Sequence, residues 1–204
     1  MVEVPSIIIH EEVGYYLSDK INKNSYEYYL GILAPDAVNL EGFAEEKERW
    51  TSHIRKQLWK NFPRKIMYQK WKKEVIKFYK KNKQNYNEDF LLGYFIHILT
   101  DIIYDEYIYL KVKDKIIEDN VKENSHEIMR KDMNKYSFNG VNGIIEILNS
   151  KNISYDILNI EKEKLLLWKE KQIKNFPSSN KTEYITESII DELNNLVLKN
   201  ISLL

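Results

Sequence analysis

The sequence predicts an all-α fold, and three observations support this prediction. The 204 residues include only four prolines and six glycines. Long stretches place apolar residues three and four positions apart, which is the period of an amphipathic helix. No stretch shows the alternating pattern of a half-buried strand, an internal repeat or a low-complexity boundary. We therefore expect a single all-α domain over residues 1–204, with several helices around a central one.

The first part of the chain is expected to contain two helices and a mixed segment. A first helix is predicted from Ser6, a good N-cap after a proline, to about Lys23. A shorter helix, Tyr26 to Leu33, ends at Ala34-Pro35-Asp36, because the residue before a proline is biased out of helical conformation. Asp36 is thereby placed on a connection. For residues 36–63 the pattern leaves the secondary structure open.

The later elements are separated by polar or glycine-containing stretches. We expect a polar turn at residues 82–87, a stop at Asn139-Gly140, loop-like chain over residues 149–159 and a stop at residues 177–180. The predicted helices run from Lys65 to Lys83, Glu88 to about Ile117, His126 to Phe138, Gly143 to Leu148, Glu161 to Phe176 and Thr182 to Ile201.

The composition argues against several classes of function. Thirty-one basic residues balance thirty-one acidic ones, so no overall charge favours nucleic acid or an anionic membrane as a partner. The sequence has no cysteine, which excludes disulfides and thiolate metal sites and leaves His, carboxylate, carbonyl or water as metal ligands. Neither a signal peptide nor a transmembrane segment is predicted, and we expect a cytoplasmic protein.

The apolar stretch from Leu92 to Asp105 carries the first functional signal. His97 and Asp101 are four residues apart in it, so their side chains share one helix face. A helix that is apolar all round is usually buried, and buried polar groups need partners. The two side chains could bind one ion, or they could form a hydrogen-bonded pair with each other.

Two glycines lie one helical turn from histidines. Gly14 follows His10, and Gly93 precedes His97. Glycine inside a helix costs roughly 1 kcal/mol relative to alanine, so something must approach the backbone closely at these points. The simpler explanation is close packing of two helices.

Four motifs follow one another in a specific order. They are Pro5-Ser6 with His10, the run from Leu30 to Asp36 (Leu-Gly-Ile-Leu-Ala-Pro-Asp), Ser52-His53, and the run from Gly93 to Asp101. In this order they resemble the zinc-dependent phospholipase C family, specifically its short, signal-less bacterial branch, which is related to the fungal zinc nucleases. The resemblance covers roughly the first half of the chain.

The resemblance implies a set of metal ligands. Asp36, His53, His97 and Asp101 would hold one zinc ion, and Asp101 would bridge to a second ion held by His10. Asp36 and Asp101 are therefore the candidate catalytic carboxylates, with metal-bound hydroxide as the nucleophile. Imidazoles and carboxylates together suit zinc, and also iron or manganese, better than calcium or magnesium.

The match to the secreted members of the family is incomplete. Those members also use the amino group of a processed N-terminal tryptophan, whereas this chain begins at Met1 without a processing signal. They bind a third metal through a His followed four residues later by an acid, and here His126 is followed by Arg130. We expect the third metal site to be absent or rebuilt. His126, Asp105 and Asp132 are candidates for contacts behind the ligands or for substitute ligands, although His126 could also be a surface residue at a helix start.

The expected function is metal-dependent hydrolysis of a small phosphoester or a phospholipid headgroup. One rival is a non-catalytic helical protein with a closed structural metal site, and another is a module that only binds a lipid or phosphate headgroup. The many tyrosines could contact a choline-like group through cation-π interactions, or could be ordinary core and rim residues. The lysines of the predicted 65–83 helix are interpreted as a solvated face.

Overall fold

The computed structural model describes residues 5–121, 123–176 and 181–202. These residues form helices and contain no β-strand, apart from an isolated bridge between Ile157 and Ile160, so the all-α prediction is confirmed. Two 3-10 helices (Ala34–Asn39 and Gln57–Asn61) and a π-helical turn (Tyr104–Ile108) accompany the α-helices. The α-helices are α1 (Ile7–Ile21), α2 (Tyr26–Leu33), α3 (Glu46–Ser52), α4 (Arg64–Asn82), α5 (Glu88–Ile103), α6 (Tyr109–Glu118), α7 (Ser125–Met133), α8 (Val141–Asn149), α9 (Lys162–Asn175) and α10 (Glu187–Ile201).

Helix α5 lies at the centre of the core. Its start is fixed by Asn87, whose side chain accepts a hydrogen bond from the backbone N–H of Phe90 at 3.1 Å. Acidic residues occupy its first turn, where their negative charges interact favourably with the positive end of the helix dipole. Every residue from Phe90 to Ile103 is buried. Helices α1, α2, α4 and α10 pack against it, so polar groups on α5 lie far from bulk solvent.

The chain is helical without a break from Glu88 to Glu118, as the periodicity predicts, but it is not one regular α-helix. After Ile103 it widens into the π-helical turn, in which the backbone N–H of Tyr109 bonds to the carbonyl of Tyr104. Helix α6 then continues the chain. A single wide turn leaves the apolar spacing almost intact, which is why the sequence pattern did not mark it.

The last helix begins at Glu187, five residues later than the predicted Thr182. The cause is Asp132 on α7, which is buried and accepts hydrogen bonds from the backbone N–H groups of residues 183, 184 and 185 at 2.8–2.9 Å. These groups are held in a turn rather than in a helix. Thr186 then caps α10 by accepting a bond from the N–H of Ile189.

The remaining boundaries differ from the prediction by five residues or fewer, and the structure also assigns the segment that the prediction left open. Asp36 lies in a 3-10 helix rather than on an irregular connection, since the chain continues to turn through Pro35. The segment at 36–63 also contains α3 and the second 3-10 helix. Helix α7 ends at Met133, before the predicted Phe138. The predicted stop at residues 177–180 lies outside the described residues. Among the helices that are described, none is both long and apolar enough to cross a membrane.

Candidate metal centre

His97 and Asp101 are both fully buried on α5, and they do not form a hydrogen-bonded pair. The His97 Nε2 atom lies 3.9 Å from Asp101 Oδ2, beyond hydrogen-bond distance. The other ring nitrogen, Nδ1, lies 2.7 Å from the carbonyl oxygen of Ile32. Because a carbonyl only accepts, Nδ1 carries the proton, and in the neutral ring the lone pair is on Nε2. This is the tautomer that a metal-binding histidine needs when its second nitrogen is held by a carbonyl.

The Ile32 carbonyl reaches His97 because α2 and α5 are in close backbone contact. A Cβ atom on Gly31 would lie 2.1 Å from the carbonyl oxygen of Phe90, and one on Gly93 would lie 2.0 Å from that of Tyr28. No real side chain tolerates such distances. Near the end of α2 the carbonyls lack intrahelical donors, which leaves Ile32 free to accept from the ring. Close helix packing, the simpler of the two explanations for Gly93, is therefore what the structure shows.

His10, near the start of α1, meets the same carboxylate from another side. Its Nε2 lies 3.2 Å from Asp101 Oδ1, and its ring stacks on that of His97 with centroids 3.7 Å apart and planes 4° from parallel. A Cβ atom on Gly14 would lie 2.2 Å from Ile32 Cδ1, so this glycine too permits close packing of α1 on α2.

His53 follows the last residue of α3, where its ring is oriented by its own helix. Its Nδ1 lies 3.0 Å from the carbonyl of Arg49 and 2.8 Å from Ser52 Oγ. Because a carbonyl only accepts, the contact with Arg49 favours a proton on Nδ1, which leaves the Nε2 lone pair for a metal. This Nε2 lies 3.4 Å from Asp101 Oδ2 and 3.6 Å from Asp36 Oδ1.

Asp36 closes the cluster on its solvent side. Its Oδ1 accepts a hydrogen bond from Asn39 Nδ2 at 3.1 Å, one turn along the 3-10 helix. The side chain is 13% exposed, whereas those of His10, His97 and Asp101 are fully buried. Asp36 also lines a cleft of about 650 Å³ that α7 and the π-helical turn help to form. The cluster thus has one side that opens toward a binding space.

The inner atoms of this cluster are unsatisfied. Within the described part of the chain, the Nε2 atoms of His10, His53 and His97 and both carboxylate oxygens of Asp101 are buried without a hydrogen-bond partner. Such groups are rare in native proteins, since each costs roughly 1–3 kcal/mol. Donor atoms of His10, Asp36 and His97 lie within 4.8 Å of one another, and so do those of His53, His97 and Asp101. This buried His/Asp cluster could hold a metal ion, which would give such buried atoms a partner.

The electrostatics of the cluster keep its groups in the forms that bind cations. Burial, and after it the neighbouring His10, lower the pKa of His97 to about 3, although Asp101 and Asp36 act in the opposite direction. Burial alone would raise the pKa of Asp101, but the adjacent His10, through its contact and charge, and the other histidines hold it below its ordinary value. The pKa of Asp36 is held well below its usual range against burial by His53, His97 and His10. At neutral pH His97 is therefore neutral, and both carboxylates are ionised.

The structure brings all five predicted ligands together, with one difference in arrangement. The resemblance placed His10 at a second ion, reached only through Asp101. In the structure, a His10 donor atom also groups with those of Asp36 and His97. The five side chains thus form one continuous cluster, and the number of ions remains a prediction.

The three candidates for supporting contacts lie elsewhere. Asp132 binds the turn before α10, as described above. Asp105 is buried and accepts hydrogen bonds from Arg64 Nη2 at 2.7 Å and from the Tyr68 hydroxyl at 2.6 Å, which ties the π-helical turn to α4. His126 lines the cleft, and its Nε2 lies 2.9 Å from the Tyr109 hydroxyl.

Sequence reasoning missed the residues that orient two of the ligands, and it also missed a buried acid on α1. Asn39 donates a hydrogen bond to Asp36, and the carbonyl of Arg49 contacts the ring of His53. Asn39 follows Asp36 by three residues and Arg49 precedes His53 by four, so helical spacing could have identified both. Nothing in the sequence around Glu11 indicated that this side chain is buried. It is fully buried, both its oxygens lack a hydrogen-bond partner within the described ranges, and burial raises its pKa well above the ordinary value.

Comparison of the chain with family models, curated proteins and solved structures gave no match in any of the three. The class that the structure itself defines is an all-α protein with a buried His/Asp cluster able to hold a metal ion.

Proposed function

We propose that this protein is a metal-dependent phosphoester hydrolase similar to the zinc-dependent phospholipases C. The observation that carries the proposal is the position of Asp36, which belongs to the buried His/Asp cluster and also lines the cleft. A structural metal site is normally closed by its protein ligands, whereas a catalytic one keeps an open side. The partly exposed position of Asp36 beside the cleft favours the catalytic alternative.

The donor set fits zinc best, with iron or manganese as further candidates. His97, His53 and His10 offer imidazole nitrogens, and the two aspartates compensate the charge of a divalent ion. When bound, such an ion polarises a phosphoryl oxygen and acidifies a water molecule.

The chain's own residues provide positioning and exclude water. The Ile32 and Arg49 carbonyls fix the tautomers and orientations of His97 and His53. Asp101, enclosed by α5 and its neighbours, faces three histidines and holds the inner side of the centre. Asp36 is the ligand next to the substrate, and Asn39 limits the directions in which its carboxylate can turn.

The test combines metal analysis with a phosphodiesterase assay. Purified protein is stripped with a chelator, reloaded with zinc, manganese or anaerobic ferrous iron, and assayed with bis(p-nitrophenyl) phosphate. We expect stoichiometric metal and hydrolysis that chelation abolishes and reloading restores. His97→Gln and Asp101→Asn should lose metal and activity together, with folding checked by circular dichroism. His126→Gln, which alters a cleft residue outside the cluster, should retain its metal.

The outcomes separate the proposal from its rivals. A fully loaded protein without hydrolysis would indicate a structural site or a binding module. A folded protein that takes up no metal under any of these conditions would contradict the proposal entirely.

A further inference from the structure

Helix α4 presents a row of lysines on its outer side. Its buried residues, among them Met67, Trp71 and Val75, lie on the side that packs against α5. The opposite side carries exposed residues that recur at three- and four-residue intervals and therefore share one helix face. These residues, here called the lysine stripe, are Ile66, Lys70, Lys73, Lys77 and Lys80. From its first to its last residue the stripe is about 21 Å long.

The positive charge of the lysine stripe is not neutralised by neighbouring acids. Glu74 is the only acidic residue of α4. Within the described ranges, the ion pairs of α4 use side chains outside the stripe, and they are Arg64 with Asp105, Lys72 with Glu106 and Glu74 with Lys56. The chain as a whole has no net charge, so the stripe is a local concentration of positive charge on a neutral protein.

Apolar side chains lie at the N-terminal end of the stripe. Phe62 and Ile66 are each 41% exposed, although both are large and apolar. Lys70 Nζ lies 4.9 Å from the centroid of the Phe62 ring, which places Phe62 beside the first lysine of the stripe. This surface therefore combines exposed apolar groups with a row of lysines that have no acidic partner.

This combination fits an anionic lipid surface better than other polyanions. Four or more basic residues on an amphipathic helix are typical of binding to acidic lipid headgroups. Apolar side chains on the same face can enter the boundary between the headgroups and the acyl chains. The phosphates of a nucleic acid would pair with the lysines, but its backbone offers Phe62 and Ile66 no apolar contact.

We propose that the lysine stripe docks this protein onto membranes that contain anionic lipids. Its lysines contact the acidic headgroups, and Phe62 and Ile66 insert beside them. In this proposal the lysines are more than the solvated face that the periodicity indicates. The residues that line the cleft come from elements other than α4, so docking is independent of the proposed hydrolysis.

Cosedimentation with sucrose-loaded vesicles tests the proposal. Purified protein is mixed with the vesicles in the presence of EDTA, so that metal-dependent hydrolysis cannot alter the lipids, and folding is checked by circular dichroism. We expect the partition coefficient to be at least about tenfold higher for phosphatidylcholine vesicles with about 30% phosphatidylserine than for phosphatidylcholine alone. Raising the salt concentration from about 0.1 M to about 0.5 M should weaken this binding.

Two double variants separate the contributions of charge and apolar contact. A lysine near an anionic surface contributes roughly fivefold to binding, so Lys73→Gln combined with Lys77→Gln should lower the partition coefficient about twentyfold. Phe62→Gln combined with Ile66→Gln leaves the charge unchanged and should lower it about fivefold.

Each variant has a matched control on another part of the surface. Lys20→Gln combined with Lys174→Gln removes the same charge from exposed positions on α1 and α9. Ile117→Gln combined with Leu167→Gln replaces apolar side chains that are 57% and 54% exposed. Both controls should bind anionic vesicles as the wild-type protein does.

Several results would overturn the proposal. They are equal partitioning into neutral and anionic vesicles, unchanged binding in either stripe variant, and the same loss of binding in a control as in its matched variant. Binding to a DNA duplex or to polyglutamate without binding to anionic vesicles would also overturn it, and would identify a different class of partner.

Discussion

His97 shows how a single side chain is committed to one protonation state. Its Nδ1–H donates to the Ile32 carbonyl, its ring stacks on that of His10, and the side chain is fully buried. Protonation would place a second N–H and a positive charge in a site that is already crowded with imidazoles. The low pKa of about 3 expresses this cost.

The first consequence is a pH dependence of the metal-free protein. In the unfolded chain His97 titrates near its ordinary pKa of 6.5, but in the folded chain it resists protonation down to about 3. The unfolded state therefore binds more protons in this window, so stability decreases as pH falls below about 6.5. At pH 5 the loss is about 2 kcal/mol from this residue, at 1.36 kcal/mol per pKa unit.

Thermal unfolding of chelator-treated protein between pH 7 and pH 5 measures this effect. We expect Tm to fall on acidification in the wild-type protein and in His126→Gln, and to fall less in His97→Gln. A Tm that does not change across this range would contradict the assignment of a neutral, buried His97.

At the scale of elements, the contact between α2 and α5 determines the geometry of the centre. Two glycines face the opposite backbones, and this closeness lets a carbonyl of α2 orient a histidine of α5. The sequence signalled this contact through Gly93, one turn before His97. It did not specify which backbone approached, because the partner of a helical glycine is set by tertiary packing rather than by local sequence.

Gly93→Ala tests this contact, with Gly143→Ala as its control. A Cβ at position 93 would overlap the Tyr28 carbonyl and force the helices apart. We therefore expect a destabilisation of about 1–3 kcal/mol, together with weaker metal binding. At position 143, inside α8, a Cβ meets no described atom within 4 Å. That substitution should stabilise the helix by up to about 1 kcal/mol.

Urea unfolding of both variants and of the wild type, with and without zinc, provides the measurement. If Gly93→Ala is as stable as Gly143→Ala, or binds zinc as the wild type does, the close contact is not what positions His97.

At the scale of the whole molecule, the centre joins parts of the chain that are far apart in sequence. His10 comes from α1, Asp36 from a 3-10 helix, His53 from the end of α3, and His97 with Asp101 from α5. An ion bound there would cross-link four segments that exist together only in the folded state. Its binding free energy therefore adds to the stability of the fold.

Zinc should accordingly raise Tm in a concentration-dependent manner. At free zinc one hundred times above Kd the expected gain is about 2.7 kcal/mol. His97→Gln and Asp101→Asn should show little or no gain, whereas Lys131→Gln should match the wild type. Differential scanning calorimetry over a series of buffered zinc concentrations provides the measurement, and an unchanged wild-type Tm would exclude a cross-linking ion.

Much of this could be predicted from the sequence, for identifiable reasons. Helix periodicity gave the fold class, and the four-residue spacing placed His97 and Asp101 on one face. The grouping of His10, Asp36 and His53 with them required the resemblance, since no local pattern connects residues so distant in the chain. The cleft was not predicted, because residues that line it, such as Arg49 and Arg130, read locally as ordinary helix-surface residues. Neither was the late start of α10, which depends on a carboxylate more than fifty positions away.

The π-helical turn after Asp101 affects how this protein can vary. Tyr104 and Tyr109 both line the cleft, although they are five residues apart. In a regular α-helix that separation would point them about 140° apart, whereas a turn closed by an i to i+5 bond returns them to one side. The turn thus absorbs one extra residue without rotating the helix that follows it. Removing a single exposed residue of the turn, such as Tyr107, would restore the regular helix and leave Tyr104 and Tyr109 four residues apart, still on one side. A one-codon deletion here should therefore keep both the wall of the cleft and every metal ligand in place, which makes this turn a natural point at which related chains could differ in length.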